Sequence, residues 1–401
     1  MTETEIADTA THGSFADCWD LDPDTIYLNH GSFGPSPKQV IADREEWSRR
    51  LERQPMKFFC QQMEDLLEQT ASDLAGFLHT KPARLALIDN ATFAMNIVAD
   101  SITLQAGDEV LLTDHEYGAV RNIWNQKCRQ SGAKLITAQL PFPLDTDGIL
   151  AAVEQATTTR TRVIVVSHVT SATAAILPVE QLCHQARQRK VLTVVDGPHA
   201  VAMLDLHLDR IGCEYYCGSC HKWLCAPFGS GFLWVHPRHH NAVHCPVVSW
   251  GGSIAGRTPC WKDRITWLGT RDPAPLLSIS AAIRFLNRIG LNTFREHAQS
   301  LIHFVRDELL SMDGCGPLCT TSAQDVVSMV SVELPQPEGW QPGYHGSPDP
   351  LQIELRDTAG IEAPVAAWNG HRFLRVSAHL YNSRQDMERL LTALRSAKTL
   401  Q

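Results

Sequence analysis

The sequence predicts an α/β fold in which a seven-stranded, mostly parallel sheet is flanked by helices and is followed by a smaller C-terminal domain. From Tyr27 onward, short apolar runs alternate with longer amphipathic ones, as in successive β-α-β units. After Pro246 the chain becomes rich in Gly, Trp and Pro, and a helical pattern resumes beyond Arg271. The expected organisation is a partly flexible N-terminal arm, a large domain and a small domain, over residues 1–24, 25–265 and 266–401.

Seven apolar runs have the length of strands, and turn residues bound them. The predicted strands are Arg84–Ile88, Glu109–Thr113, Lys134–Gln139, Arg162–Ser167, Val191–Val195, Tyr215–Gly218 and Gly231–Val235. Segments with helical periodicity lie between or after them. The predicted helices include Thr92–Ser101, Val120–Ser131, Val179–Arg189 and Pro275–Leu286.

Composition and charge exclude several classes of protein. The chain has 401 residues, with 35 Lys and Arg against 44 Asp and Glu, so its formal net charge is −9 and nucleic acid is a poor partner. No apolar run reaches the roughly 18 residues that span a bilayer. The first twenty residues lack the basic start and apolar block of a secretory signal, so we expect a cytoplasmic protein without a membrane partner.

One lysine stands in a setting suited to chemistry. Lys222 is one of nine lysines and follows a short apolar strand within the Gly-rich segment Gly218–Gly231. In such a setting desolvation disfavours the ammonium form, and the neutral amine is a nucleophile for Schiff-base formation with an aldehyde cofactor. An exposed loop lysine is the plain alternative.

Asp196 strengthens the chemical interpretation of Lys222. It ends the most apolar predicted strand, and acids at the carboxyl edge of a parallel sheet face the ligand crevice. Pyridoxal phosphate needs a carboxylate against its ring nitrogen, because the protonated ring is its electron sink. Phosphate donors are available at the helix start Asn90–Thr92, which a plain N-cap also explains, and at Ser219 and His221.

Eight motifs, two of which contain Asp196 and Lys222, extend this pattern along nearly the whole chain. In order they are Tyr27–Gly34, Asp89–Thr92, Asp114–Tyr117, Ser167–His168 with Ile176–Pro178, Asp196–Ala200, Ser219–Lys222, Gly269–Arg271, and Leu374–Ser377 with Tyr381–Asn382. On these motifs the chain resembles the class V aminotransferase family of fold-type I pyridoxal-phosphate enzymes, nearest to the isopenicillin N epimerase-like branch. The resemblance implies a smaller α+β C-terminal domain.

The resemblance also implies roles around the cofactor. Lys222 would form the Schiff base, Asp196 would hold the pyridine nitrogen, and His199 would lie near the ring hydroxyl. Tyr117 would cover the ring face, with His115 as the alternative. The remaining cofactor contacts would be Ala91, Thr92, Ser219 and His221 at the phosphate and Ser171 near the ring oxygen.

Two further implications concern the partner subunit and the substrate. Thr270 would reach the phosphate of the neighbouring subunit, so a homodimer with shared active sites is implied. Arg375 would bind the carboxylate of a small amino-acid substrate, with Asn29 beside it.

Other interpretations of the same residues are weaker. Cys217 and Cys220 lack a second pair at zinc spacing, so we predict no metal; a thiol redox pair is an alternative, and buried core cysteines are the default. A non-catalytic scaffold of the same fold would be expected to lose Lys222 or Asp196, and both are present.

The reaction itself stays open among several outcomes. Epimerisation, transamination and elimination all begin with loss of the α-proton of the substrate. Family members that transfer sulfur use a cysteine on a loop ahead of the C-terminal arginine, and this chain has no cysteine after Cys319. We therefore predict an isopenicillin N epimerase-like enzyme first, a cysteine or cystine C–S lyase second and a simple aminotransferase third.

Overall fold

A computed structural model describes residues 15–250, 252–319, 326–343 and 347–400. Residues 1–14 of the predicted N-terminal arm lie outside the described residues. The rest of that segment packs on the body of the protein. A 3-10 turn, Phe15–Cys18, leads to Trp19, whose indole N–H donates to the carbonyl of Pro35 at 3.0 Å.

The predicted seven-stranded sheet is confirmed. After a short strand β1 (Ile26–Tyr27), its members are β2 (Leu85–Ile88), β3 (Glu109–Thr113), β4 (Lys134–Ala138), β5 (Thr161–Ser167), β6 (Leu192–Asp196), β7 (Tyr215–Ser219) and β8 (Gly231–Val235). The spatial order is β2-β8-β7-β6-β5-β3-β4. Only β8 runs antiparallel to both of its neighbours, so the sheet is mostly parallel as predicted.

A second, antiparallel sheet lies near the C-terminus. Its strands are β9 (Gly316–Pro317), β10 (Met329–Leu334), β12 (Val365–Trp368) and β13 (His371–Ser377), in the order β12-β13-β10-β9. The short strand β11 (Ile361–Glu362) pairs instead with β1, in parallel. The N-terminal strand is therefore joined to the C-terminal part of the chain.

Helices cover both sheets. They are α1 (Lys38–Arg53), α2 (Pro55–Lys57), α3 (Met63–Phe77), α4 (Ala91–Ser101), α5 (Gly118–Ser131), α6 (Thr146–Ala156), α7 (Val179–Gln188), α8 (Leu208–Ile211), α9 (Asp263–Thr266), α10 (Ala274–Leu277), α11 (Ile279–Ile289), α12 (Leu291–Leu310), α13 (Pro350–Ala359) and α14 (Arg384–Ser396). Single turns lie at Pro82–Arg84 and Pro237–Ala242, and a π-helical turn lies at Phe58–Gln62. The helix predicted over Pro275–Leu286 is two helices, because the chain turns at Ser278 between α10 and α11.

The large sheet is buried on both faces. Along β5, Val163 and Val165 belong to one apolar cluster, while Ile164 and Val166 belong to the other. This alternation follows from the two-residue period of a strand, and helices on both faces explain why these strands are continuous apolar runs. The carboxyl ends of the strands are left as the place where polar groups can converge.

The predicted domain limit between residues 265 and 266 falls within α9, after the last strand of the large sheet and before the first strand of the small one. It stays a prediction. Within the part of the chain that the structure describes, no helix combines the length and the apolar composition that crossing a membrane requires.

Candidate active site

Three neighbouring strands end in polar residues at the carboxyl edge of the large sheet. Strands β5, β6 and β7 end at Ser167, Asp196 and Ser219, and the register places Ser167 beside Asp196. A cavity of about 570 Å³ opens at this edge, and all three residues line it. In open α/β sheets this edge is where ligands bind.

Lys222 lies on the wall of this cavity, three residues after β7. Its Nζ is 2.8 Å from Nε2 of His199, which is buried and follows β6 by three residues. The side chain of Lys222 is half-buried because one side faces the cavity. Desolvation lowers the pKa of its ammonium group below the usual 10.5, and the positive charge of Arg375 acts in the same direction.

The same environment keeps the histidine neutral. Burial lowers the pKa of His199 well below 6.5, and the charges of Lys222 and Arg375 lower it further. The Nε2 atom of His199 can therefore accept a hydrogen bond from Lys222, which leaves the proton on Nδ1. That Nδ1 atom is buried and has no hydrogen-bond partner among the described residues.

His30 contacts the backbone of Lys222 through a hydrogen bond. Its Nε2 lies 3.1 Å from the carbonyl oxygen of Lys222, and its Nδ1 lies 2.9 Å from the hydroxyl of Tyr381. A Cβ atom at Gly34 would lie 2.8 Å from the same carbonyl oxygen, so only glycine permits this close approach. The N-terminal loop and the C-terminal segment thus clamp the lysine.

Asp196 presents a carboxylate to the cavity. It is buried, and no hydrogen bond or ion pair to its side chain occurs among the described residues. Burial raises the pKa of this carboxyl above the usual 3.8, and the nearby negative charge of Glu116 acts in the same direction. A cationic N–H group in the cavity would satisfy this carboxylate.

The start of α4 forms another wall of the cavity. Asn90 caps the helix by accepting from the N–H of Phe93 at 2.9 Å, and the N–H of Ala91 donates to the hydroxyl of Ser219 at 3.1 Å. Thr92 is exposed at the first turn, and half-buried His221 faces it across the cavity. Helix amino termini attract anions, so this wall suits a phosphate.

Arg375, on β13, is a buried cation without an acid. Its guanidinium donates to the Ser171 carbonyl at 2.5 Å, to Asn29 Oδ1 at 2.8 Å and to the Ser32 hydroxyl. Its Nε has no partner, and no ion pair of Arg375 occurs within the described ranges. Burial lowers the pKa of Arg375 to about 10. An anionic ligand would neutralise this charge.

The structure separates the two candidates for the cofactor ring face. Tyr117 lines the cavity and is 46% exposed. His115 is buried away from it, with its ring 3.9 Å from that of Trp368 and its Nδ1 2.8 Å from the hydroxyl of Thr173. Thr270 is exposed and does not line the cavity of its own chain.

Three residues at this site were not singled out from the sequence. Ser32 contacts Arg375, His30 holds the Lys222 carbonyl, and Glu116 lies behind Ser167. All three fall inside motifs that carry the family resemblance, so the motifs contained them. Their contacts cross 50 or more positions, and spacing along the chain gives no sign of them.

The donor set fits pyridoxal phosphate. Asp196 offers an unpartnered carboxylate for a ring nitrogen, Lys222 offers an amine for an aldehyde, and the N-terminal end of α4, with the side chain of Thr92, offers a place for a phosphate. A volume of about 570 Å³ is ordinary for a small-molecule site.

The fold and this site define a pyridoxal-phosphate-dependent enzyme of fold type I. Residues 26–390 match the family model described as aminotransferase class V. The chain belongs to the class V aminotransferase family.

Similar proteins cover nearly the whole chain. An isopenicillin N epimerase from Amycolatopsis lactamdurans is 38% identical over 389 residues, which are 94% of this chain and 96% of that protein. The isopenicillin N epimerase of Streptomyces clavuligerus is 37% identical over 387 residues, which are 93% and 95% of the two chains. The complex of the cystine C-S lyase C-DES with cysteine persulfide has a TM-score of 0.80 at 21% identity, covering 92% and 97%. This last likeness shows the fold.

Proposed function

We propose that this enzyme inverts the α-carbon of an amino acid or of a substrate derived from one, in the manner of an isopenicillin N epimerase. The observation that carries the proposal is the position of Lys222, whose Nζ contacts a buried neutral imidazole on the wall of a cavity that also holds Asp196. The two relatives at 37% and 38% identity, both named isopenicillin N epimerases, support this reaction.

Arg375 would bind the substrate carboxylate. The guanidinium is already oriented by Asn29, Ser32 and the Ser171 carbonyl, and it lacks an acidic partner within the described ranges. A planar guanidinium can donate two parallel hydrogen bonds to one carboxylate. This contact would fix the α-carbon relative to Lys222.

Lys222 would remove the α-proton on the face of the substrate where it lies, and inversion requires that a proton return to the opposite face. The desolvated amine of Lys222 binds a proton less tightly than an ordinary lysine, and His199 holds its Nζ in one place. Pyridoxal phosphate, when bound, supplies an electron sink for the negative charge that develops at the α-carbon. Asp196 would hold the proton on the ring nitrogen, and His199 would offer Nδ1–H to the ring hydroxyl.

The other walls of the cavity would orient the cofactor. We assign the phosphate to the N-terminal end of α4 and to nearby polar side chains, the ring face to Tyr117 and the ring oxygen to Ser171. The proposed phosphate contacts are Ala91, Thr92, Ser219 and His221. The family resemblance and the shared cavity support these assignments.

The proposal is tested by product analysis after incubation of the holoenzyme with a panel of L-amino acids, dipeptides and isopenicillin N. We expect loss of optical purity at one α-carbon, measured by chiral chromatography, without a keto acid, ammonia or sulfide. A stoichiometric keto acid would identify an aminotransferase. Pyruvate, ammonia and a sulfur product from cystine would identify a C–S lyase, and either result would overturn epimerisation.

We also propose a cytoplasmic homodimer in which Thr270 completes the phosphate site of the partner subunit. Exposed aromatic side chains lie at the cavity: Phe33 (65% exposed) and Tyr117 (46%) line it, and Phe228 (51%) packs beside His221 on its wall. A rim of this kind is typical of a surface that another chain covers. Sedimentation of the holoenzyme would give a dimer mass, and a fully active monomer at nanomolar concentration would contradict the proposal.

A further inference from the structure

A second buried carboxylate lies behind the cavity wall. Glu116 precedes α5, and its side chain is buried next to the end of β5. It accepts hydrogen bonds from the hydroxyl of Thr113 at 2.8 Å, from the N–H of Ser167 at 3.0 Å and from the hydroxyl of Ser167 at 2.6 Å. The proton transfer proposed for Lys222 does not involve this acid.

Hydrogen bonds to the carboxylate of Glu116 oppose the effect of its burial. Burial raises the pKa of the carboxyl above 4.5, while the three donors and the charge of Arg121 act in the opposite direction. Two of the donors are hydroxyl groups, and the Thr113 hydroxyl also accepts from the N–H of His115 at 3.3 Å, which directs its own proton towards Glu116. A carboxylate that accepts three hydrogen bonds is stabilised as an anion.

The sheet register places this anion beside Asp196. Ser167, which supplies two of the donors, is the direct parallel partner of Asp196, and adjacent strands lie roughly 4.8 Å apart. Ser167 lines the cavity and Glu116 does not, so Ser167 lies between Glu116 and the cavity. Two carboxylates therefore face the same end of the cavity, one directly and one across Ser167.

We propose that Glu116 is a positioning residue for Asp196, a second buried negative charge that strengthens the hold of this edge on a protonated ring nitrogen. The inference rests on the assignment of pyridoxal phosphate to the cavity and is independent of which reaction follows. Two anions attract one cationic N–H more strongly than one does, and the low polarity of the interior preserves the effect.

Four other titratable groups among the described residues face Asp196 or Glu116. Lys222 interacts with Asp196 from the cavity, and Arg121 on α5 interacts with Glu116. From β7, Tyr216 and Cys217 also face Asp196; burial raises the pKa of both well above its usual value, so they stay neutral.

The test replaces Glu116 by glutamine in the holoenzyme and follows the ring nitrogen of ¹⁵N-labelled cofactor by NMR as the pH is raised. We expect the ring nitrogen to lose its proton about one pH unit lower in Glu116→Gln than in the wild-type enzyme. We also expect kcat to fall by about tenfold while KM stays within about twofold. This nitrogen signal responds to charge and not to a general loss of packing.

Glu214→Gln is the matched control. Glu214 is also a buried acid, and it accepts from the N–H and the hydroxyl of Thr193 on β6 in the same way. It lies at the opposite end of the strands, beside Arg238. Its glutamine variant should leave both the nitrogen signal and kcat unchanged.

A second variant covers the case in which Glu116→Gln does not fold. Thr113→Val removes one donor to Glu116 and should give a smaller shift of the nitrogen titration in the same direction. A wild-type nitrogen titration in folded Glu116→Gln, or in Thr113→Val if the former is insoluble, would overturn the inference. Failure of any labelled cofactor to bind the wild-type protein would instead overturn the cofactor site itself.

Discussion

Buried acids are paired with arginines where the strands of the large sheet begin, and buried charges are left unpaired where the strands end. At the amino edge, which is the side where the parallel strands begin, each of two buried acids forms an ion pair with an arginine. Oε1 of Glu109, the first residue of β3, lies 2.8 Å from Nη2 of Arg160. Oε1 of Glu214, just before β7, lies 2.6 Å from Nη2 of Arg238. Each of these pairs is also supported by hydroxyl donors, so the charge is satisfied within the protein.

At the carboxyl edge the charges are left open. Asp196 and Arg375 are buried, Lys222 is half-buried, and none of the three forms an ion pair among the described residues. Two acids at this edge are satisfied within the protein: Asp89 after β2 pairs with Arg271, and Glu116 accepts three hydrogen bonds. Unpaired buried charge is costly, so it is retained where a ligand neutralises it. Charge pairing, more than burial, separates the functional edge from the structural one.

Replacing Lys222 should have the largest effect on this contrast. Borohydride treatment of the holoenzyme should attach the cofactor to the peptide that contains Lys222, as read by mass spectrometry. Lys222→Ala should lose this attachment and lower turnover by roughly 10²- to 10⁴-fold or more, because both the nucleophile and the proton carrier are removed. Covalent attachment that persists in Lys222→Ala would place the chemistry elsewhere.

Asp196→Asn comes next, because it removes a charge and keeps the shape. We expect the cofactor to stay bound through Lys222 and through its phosphate at the start of α4, while kcat falls by roughly 10²- to 10³-fold. Absorption spectra and steady-state kinetics measure the two effects separately. Unaltered kcat would remove Asp196 from the mechanism.

Substitutions of Arg375 should affect substrate binding, measured as KM. Arg375→Lys keeps the positive charge but cannot reproduce the two parallel hydrogen bonds, and we expect KM to rise by about 30-fold, which corresponds to roughly 2 kcal/mol. Arg375→Ala should raise KM further. A substrate that binds both variants like the wild type would not use this arginine for its carboxylate.

The charge environment of Lys222 also predicts a pH dependence. The free amine is the form that reacts with the cofactor aldehyde, and it predominates above the pKa. Because desolvation and Arg375 lower the pKa of Lys222, covalent uptake of the cofactor by the apo-protein should rise with pH at a midpoint well below 10.5. Stopped-flow absorption would measure it, and a midpoint near 10.5 would show an ordinary solvated lysine.

The smallest effect is expected at the amino edge. Glu214→Gln should lower the free energy of unfolding by about 1 kcal/mol and leave kcat unchanged, because it weakens a satisfied pair far from the cavity. Thermal unfolding and turnover of the same preparation give both values. A loss of turnover larger than twofold in a folded sample would show that the amino edge also contributes to the reaction.

Much of the fold could be predicted from the sequence, because buried parallel strands are continuous apolar runs. Strand β3 and strand β8 have the predicted bounds, and β6 is shifted by one residue. The helix predicted over Pro275–Leu286 was wrong in one respect, since its apolar periodicity continues across the turn at Ser278.

The site was predictable as a set of residues and not as a set of contacts. Lys222 and Asp196 are visible because each lies at or just after the end of an apolar strand, in a recognisable motif. The contact of Arg375 with Ser32 joins residues 343 positions apart, and the contact of Glu116 with Ser167 joins residues 51 positions apart. Such contacts depend on how the strands and loops meet in three dimensions, and no local period encodes them.

Hydrogen exchange would show whether residues at the carboxyl edge remove and return the α-proton of an amino-acid substrate. The holoenzyme would be incubated in deuterium oxide with the substrate panel, and recovered amino acids would be examined by NMR and mass spectrometry. We expect deuterium at the α-carbon with the wild-type enzyme, together with inversion, and none with Lys222→Ala. Absence of α-deuterium from every amino acid in the panel, with cofactor bound at Lys222, would contradict this expectation.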